Sequence, residues 1–310
     1  VNAQIEIILD NAAWATATAR LSVLIPFKGD DPTDLLALLD RDAAGAVEIV
    51  VLDDGTGDEA IAARVGEQAL SCALPVRFVR LTRNEGRAKG RNRLVAHARA
   101  RHFLFLDSDM APDAADFLDR WLALAETEDT PVAFGGFSLI QAPKRRDQAL
   151  HRRMAAHSDC LPTERRRLAP EKSLFTSNLL VRRDVFAAEA FDEGFAGWGW
   201  EDVEWGMRVM RRWPILHVDN TATHLGLDTA RTLAAKYEQS AANFARVAAA
   251  HPQVVATYPS YRVAKMLKRA PLRRWWRPLL KLFALAEGAP LAARAFAMRL
   301  YRAALYAEAV

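Results

Sequence analysis

Cysteine is scarce. Cys72 and Cys160 are the only two in 310 residues. That argues against a disulfide framework, and neither has Cys or His neighbours at zinc-site spacing, so two inert thiols in a reducing compartment are expected. No window holds about 20 uncharged apolar residues, so no spanning helix is expected. The first residues, Val-Asn-Ala-Gln-Ile-Glu-Ile-Ile, have no basic region followed by a long apolar run; no secretory signal is expected in them. The phosphate loop Gly-x-x-x-x-Gly-Lys-Ser/Thr is missing, and no Gly-x-Gly-x-x-Gly follows the first strand candidate. ATPase and dinucleotide-dehydrogenase readings both lose support. Long-period repeats and low-complexity segments are also absent.

What is present is an ordinary globular composition, 51% hydrophobic and 26% charged. The length suits one large α/β domain, or one domain with an appendage. The net charge of +4 hides an asymmetry: residues 261–310 carry eleven Lys/Arg against two Glu, a net +9, and the rest sums to −5. A near-neutral body with a basic tail suggests that the tail meets an anionic surface.

Periodicity predicts strands at 21–27, 47–52, 76–81 and 102–106, alternating with helices at 32–42, 58–70, 87–101 and 113–126. Residues 1–19 are expected to lie on the domain as a short strand or helix. Strands alternating with helices imply parallel βαβ units in a doubly wound sheet. The second half reads as a strand at 132–140 containing Gly135-Gly136, an Arg-rich helix and loop at 141–172, and a strand at 173–181. A Gly/Trp loop at 194–200 leads into a helix at 201–212. A short strand at 215–218 and an Ala-rich helix at 230–250 complete it.

In such sheets ligands bind beyond the carboxyl ends of the strands. Three polar clusters fall there. His-Phe-Leu-Phe-Leu runs into Asp107-Ser108-Asp109, two carboxylates one residue apart at the end of a buried strand, which suits a divalent cation and a diphosphate. Asp53-Asp54-Gly55-Thr56 suits either a turn or a base or ribose contact. Asn84-Glu85-Gly86-Arg87-Ala88-Lys89-Gly90-Arg91-Asn92 leads into a basic helix, a setting for phosphate or for a solvated face. Farther along, Gly197-Trp198-Gly199-Trp200-Glu201-Asp202-Val203-Glu204 sets aromatics beside carboxylates, as in sugar recognition, although the tryptophans also suit a core. His217 and His224 follow a strand, and either could complete a metal shell with Asp109.

Taken together, these blocks resemble glycosyltransferase family 2 with the GT-A fold. The order is Asp53-Asp54-Gly55-Thr56, Asn84-x-Gly86 with Arg91-Asn92, Asp107-x-Asp109, Thr176-Ser177-Asn178, and Phe191-Asp192-Glu193 before Gly197-Trp198-Gly199-x-Glu201-Asp202-x-Glu204. The resemblance spans about 20–250 and is closest to bacterial chondroitin-polymerase-like and polypeptide N-acetylgalactosaminyltransferase-like domains. It implies a mixed, mostly parallel sheet flanked by helices, with a catalytic domain at 1–250 and a helical extension at 251–310. The nucleotide-sugar half would span about 20–140, and the acceptor half 141–250.

The resemblance also implies an inverting transfer from a nucleotide-sugar, a UDP-sugar, with Mn²⁺ or Mg²⁺. Donor binding would fall to Pro26, Phe27, Asp53, Asp54, Asn84, Lys89, Arg91, Asp107, Ser108 and Asp109. Metal would be held by Asp109 and His224, with His217 the lesser candidate. Asp202 would be the general base, Glu201 would bind acceptor or donor hydroxyls, and Trp198 and Trp200 would line the acceptor site. Glu85 is a departure, an acid inside a loop meant for phosphates.

The acceptor implied is a saccharide or glycolipid of surface polysaccharide synthesis. The tail mixes Lys265, Lys268, Arg269, Arg273, Arg274, Arg277 and Lys281 with Trp275, Trp276 and a Leu/Phe run. It suits an interfacial helix on an anionic membrane, or a basic helix packed on the domain through Trp and Leu. Cytoplasmic placement, peripheral at the inner face of the membrane, follows as the expectation. No nucleic-acid motif accompanies the charge. A nucleotidyltransferase would share the acids but not the Gly-Trp-Gly block or His224; a non-catalytic nucleotide-sugar-binding partner of another transferase is the other alternative.

Overall fold

A computed structural model describes residues 6–41, 46–127, 130–271 and 273–310 of the chain, with only the backbone of Arg273 and Arg274. Residues 1–5 and Asp42, the end of one expected helix, lie outside the described residues.

Among the described residues, eleven strands form two sheets: β1 (Glu6–Asp10), β2 (Leu21–Phe27), β3 (Val47–Asp53), β4 (Val76–Leu81), β5 (His102–Leu106), β6 (Met110–Pro112), β7 (Val132–Phe134), β8 (Phe137–Ser138), β9 (Asn178–Arg182), β10 (Ile215–His217) and β11 (Ala222–His224). The large sheet runs β1-β4-β3-β2-β5-β9-β7-β10, and the small one β6-β11-β8. β4, β3, β2 and β5 are mutually parallel, as is the pair β7 and β10, while β1 and β9 run antiparallel to their neighbours. The sheet is therefore mixed and mostly parallel rather than wholly parallel.

The central strands read as continuous apolar runs because both faces are covered. Val23, Ile25, Phe27, Ile49 and Val51 point into one core. Leu24, Val50, Leu52, Phe103 and Phe105 point into the other, the two-residue alternation a strand requires. Glu48 is an acid within this apolar setting. It is fully buried and accepts from Ser22 Oγ, Arg99 N and Arg99 Nε, each at 2.7 Å, so its charge is paired rather than stranded.

The continuous strand expected at 132–140 breaks at Gly135-Gly136. A Cβ on Gly135 would lie 2.3 Å from Asn220 O and 2.4 Å from Asn178 Nδ2, and Gly136 has φ +95°. The chain turns there from β7 in the large sheet to β8 in the small one. Several helices are shorter than their periodicity suggests: Arg87–His97, Phe117–Glu126 and Glu201–Val209. The expected strand at 173–181 starts only at Asn178, because Thr176 and Ser177 are engaged with carboxylates of the site.

A third core joins the Ala230–Ala250 helix to the C-terminal helices Pro259–Lys268, Arg273–Leu285 and Leu291–Ala309. At its centre Phe244 and Tyr306 stack with centroids 4.2 Å apart.

Candidate functional site

The carboxyl ends of β2, β3 and β5 lie side by side, and β9 brings a fourth partner from the opposite direction. The pairing of Leu106 with Asn178 sets Ser177 beside Asp107. Asp107 Oδ2 accepts from Ser177 Oγ at 2.7 Å, and Oδ1 from Arg91 Nη2 at 2.6 Å. Arg91 is itself 2% exposed, so this is a buried, charge-assisted contact. Burial alone would raise the Asp107 pKa, but Arg91 and Arg87 outweigh it and hold the carboxyl below its ordinary value.

Asp109 and His224 are far apart in sequence and adjacent in space. The small sheet does this: β11 pairs antiparallel with β6, aligning His224 with Met110. His224 Nε2 then lies 3.1 Å from Asp109 Oδ2. Leu225 N donates to Asp109 O at 2.9 Å, and a Cβ on Gly226 would sit 1.9 Å from Asp109 Oδ2. Only a glycine lets the chain pass this close to the carboxylate. Burial would lower the His224 pKa, yet Asp109 raises it above its ordinary value. An oxygen and a nitrogen donor converging here, both about one-quarter exposed, fit a divalent cation whose remaining ligands are substrate oxygens. No group of three His, Cys, Asp or Glu side chains suited to a metal occurs among the described residues. His217 is elsewhere. It is 2% exposed, with Nδ1 3.3 Å from Arg166 Nη1 and Nε2 3.1 Å from Pro170 O, and burial pushes its pKa down to about 4.

Glu201 and Asp202 open a helix whose N-terminal turn carries three acids, where the helix dipole favours them. Asp202 Oδ1 accepts from Thr176 Oγ1 at 3.0 Å and Oδ2 from Thr176 N at 3.3 Å. Burial, with Glu201 beside it, pushes the Asp202 pKa up to about 6. Arg87 Nε donates to Glu201 Oε1 at 2.5 Å, and its Nη2 lies 3.8 Å from Asp107 Oδ2. One guanidinium therefore ties the acids of β5 to those of the helix. Glu201 Oε2 is buried with no hydrogen-bond partner among the described residues, an acceptor left for a donor from outside the chain.

The loops at the ends of β3 and β4 are tied to each other. Asp54 Oδ1 and Oδ2 accept from the amides of Glu85 and Gly86 at 2.7 and 3.0 Å. Asp53 is fully buried, accepting from Thr56 N at 2.7 Å and lying 3.2 Å from Arg80 Nε. Burial raises both pKa values. These two carboxylates thus hold the turn and the neighbouring loop. Phe27 is buried against Phe78, whereas Pro26 and Ser108 are half-buried and Asn84 is exposed. Glu85, the acid that jars with phosphate binding, is neutralised: Arg93 binds both its oxygens and Lys89 Nζ lies 3.4 Å away.

The two tryptophans part company. Trp198 is half-buried, its ring 6.1 Å from Tyr237 with Lys236 Nζ 5.8 Å above it. Trp200 is half-buried as well, and packs against the third core. Its Nε1 donates to Tyr306 Oη at 3.0 Å and its ring packs 4.9 Å from Phe244. These contacts anchor the residue that precedes the Glu201-Asp202 pair. Arg87, Thr176, Ser177 and Gly226 carry much of the geometry, and the sequence alone does not give the contacts they make. Arg87 sits in a loop that reads as a phosphate setting or a solvated basic face, and Thr176 and Ser177 in a strand candidate that the family resemblance includes without a role. Nothing marks Gly226 in the sequence, because its partner is 117 residues away.

Residues 22–188 match the sequence profile described as glycosyl transferase family 2. The match ends before Gly197, so the helix of Asp202 lies beyond it. An uncharacterized glycosyltransferase of Bacillus subtilis (strain 168), YfnE, is 31% identical over 121 residues, 38% of this chain and 30% of that protein. The chain thus spans under a third of that relative. Among solved structures, the mannosyltransferase PcManGT of Pyrobaculum calidifontis, in complex with GDP-Man and Mn²⁺, superposes with a TM-score of 0.55 at 16% identity, covering 95% of this chain and 88% of that one. S. aureus TarS 1–349 gives 0.50 at 14% identity, covering 94% and 90%. At these identities the likeness is one of fold, and the fold is GT-A.

Proposed function

The chain belongs to glycosyl transferase family 2, and from that premise we propose that it is an inverting, metal-assisted enzyme moving a sugar from a UDP-sugar to a hydroxyl of a saccharide or glycolipid. The supporting observation is the Arg87 bridge, which joins Asp107 at the end of β5 to Glu201, next to Asp202.

In this reading Asp202 takes the proton of the acceptor hydroxyl as its oxygen attacks the anomeric carbon. A carboxylate titrating near 6 is a competent base at neutral pH while remaining strong enough to accept a proton. Thr176 fixes it through two hydrogen bonds. Glu201 Oε2 takes a sugar hydroxyl as its missing donor, and half-exposed Trp198 offers an apolar face to the acceptor. The bond between the anomeric carbon and the diphosphate oxygen breaks on the opposite side, so the centre inverts.

Asp109 and His224 would hold Mn²⁺ or Mg²⁺, whose charge would stabilise the departing diphosphate. Asp107, fixed by Arg91 and Ser177, presents its edge to the ribose or donor sugar, beside Ser108. Pro26, Asn84 and Lys89 line the nucleotide side, with Phe27 buried in the core next to Pro26, on a frame that Asp53 and Asp54 hold together. The neighbour's GDP-Man makes GDP-mannose the second donor to test. We place the reaction in surface-polysaccharide synthesis at an anionic membrane surface, met through residues 261–310. No helix of the described residues is long and apolar enough to cross a membrane.

Thermal-shift screening of nucleotide-sugars with Mn²⁺, Mg²⁺ or EDTA, followed by product analysis, tests this. Release of free nucleoside diphosphate supports it. Pyrophosphate release would indicate nucleotidyl transfer, and binding without turnover a non-catalytic binder.

A further inference from the structure

The Arg273–Leu285 helix is amphipathic, and it sits on the domain the reverse way from an ordinary surface helix. Two of its bases pair with acids of the domain: Arg277 Nη1 donates to Glu308, and Lys281 Nζ to Glu238 Oε1 at 2.6 Å. Ala284, on that same side, is fully buried. The opposite side is apolar and left in solvent. Trp275 is 77% exposed, Leu279 63%, Leu282 67% and Phe283 45%. At about 100° per residue these four share an arc of about 100°. The helices before and after it also leave large apolar side chains in water, Met266 and Phe296. Isolated exposed apolar residues need no explanation, but a continuous stripe does.

We infer that this stripe is the insertion face of an interfacial membrane anchor, lying in the plane of an anionic lipid bilayer. The inference deepens the membrane-surface reading of residues 261–310 and is independent of the transfer chemistry. Charge selects the occupant. Arg262, Lys265, Lys268 and Arg269 are exposed on the preceding helix and its cap, and residues 261–310 carry a net +9. A second copy of the chain would bring the same exposed bases against them, whereas an anionic headgroup layer complements them. The composition fits as well: Trp, Leu and Phe make up the stripe, and exposed bases lie on the preceding helix. Arg277 and Lys281 are spent on Glu308 and Glu238, so contact depends on the apolar stripe, with attraction supplied by the neighbouring helix.

Flotation on vesicles of phosphatidylglycerol and phosphatidylcholine, and on phosphatidylcholine alone, tests this with the full chain. Wild type should float with the anionic vesicles and much less with the neutral ones. Leu279→Glu with Leu282→Glu should weaken that binding by about tenfold or more, and Trp275→Ala by less. Lys265→Glu with Arg269→Glu should reduce the preference for anionic lipid. All these positions are exposed, so melting temperature should stay close to wild type. Failure of wild type to float, or unchanged flotation of the Leu279→Glu/Leu282→Glu variant, would overturn the proposal. So would a wild-type dimer that this variant dissolves, because the stripe would then be a contact between copies. Flotation needs no turnover, so even a catalytically inactive preparation tests the stripe.

Discussion

Trp200 Nε1 donates a 3.0 Å hydrogen bond to Tyr306 Oη, joining the residue before the Glu201-Asp202 pair to the Leu291–Ala309 helix. Trp200 is also the only non-glycine residue with positive φ, +79°, among those described. A left-handed bulky residue costs about 1–2 kcal/mol, and packing against Phe244 and Tyr306 offsets that. The anchored indole belongs to the residue that caps the start of the Asp202 helix. Tyr306→Phe keeps the ring and removes the hydroxyl, which Ser240 Oγ also meets at 3.1 Å. It should cost about 1 kcal/mol of stability and lower kcat with donor affinity unchanged. Unchanged kcat together with a lower melting temperature would reduce the contact to a structural one.

Gly226→Ala should damage the proposed metal site without unfolding the protein. Gly226 has no positive φ, so alanine meets no backbone penalty, but its Cβ would fall 1.9 Å from Asp109 Oδ2. The carboxylate must swing away from His224. By titration calorimetry the variant should lose metal-dependent nucleotide-sugar affinity about as severely as Asp109→Ala. Wild-type affinity in both variants would remove Asp109 from the metal site.

Asp202 predicts an acid limb in the pH profile. Its folded pKa of about 6 lies above the ordinary carboxyl value, so the base is protonated and idle below that pH. Transfer should rise through pH 6 and then level off. The stability sign is opposite: the folded state holds this proton more tightly than the unfolded chain does. Its contribution is therefore full at pH below the ordinary carboxyl range and is lost as pH rises through about 6. Asp202→Asn should flatten that part of the stability curve. A rate that stays flat from acid to neutral pH, across the Asp202 titration, would contradict the assignment.

Arg87 should not tolerate lysine. Its guanidinium contacts Glu201 and approaches Asp107 together, and an ammonium on a flexible stem does not span the pair as a fixed fork. Arg87→Lys should reduce kcat/KM by about tenfold or more, and Arg87→Met should also cost about 1–3 kcal/mol by leaving a buried Glu201 unpaired. Turnover and melting together separate the two effects.

Much of the fold was legible because its central strands are unbroken apolar runs bounded by turn residues. β2, β4 and β5 begin and end where periodicity puts them, as does the Ala230–Ala250 helix. Legibility fails where long-range packing overrides local pattern. Nothing near Asn178 says that it runs antiparallel beside β5, yet that pairing sets Ser177 on Asp107. The break at Gly135-Gly136 answers to Asn220 and Asn178, both distant in sequence. Nothing near Trp200 in the sequence shows that its indole is held by Tyr306, 106 residues later. The tail's amphipathicity is visible in its sequence, but which side faces the domain depends on Glu238 and Glu308.

The decisive measurement is nucleoside diphosphate release from the preferred nucleotide-sugar, in Mn²⁺ with acceptor present, by wild type and Asp202→Asn. Wild type should transfer sugar with inversion. Asp202→Asn should lose about 10²–10⁴-fold in rate while binding the nucleotide-sugar with near-normal affinity. Transfer at close to the wild-type rate by Asp202→Asn would contradict the base assignment, and retention of anomeric configuration in the product would contradict the inverting mechanism.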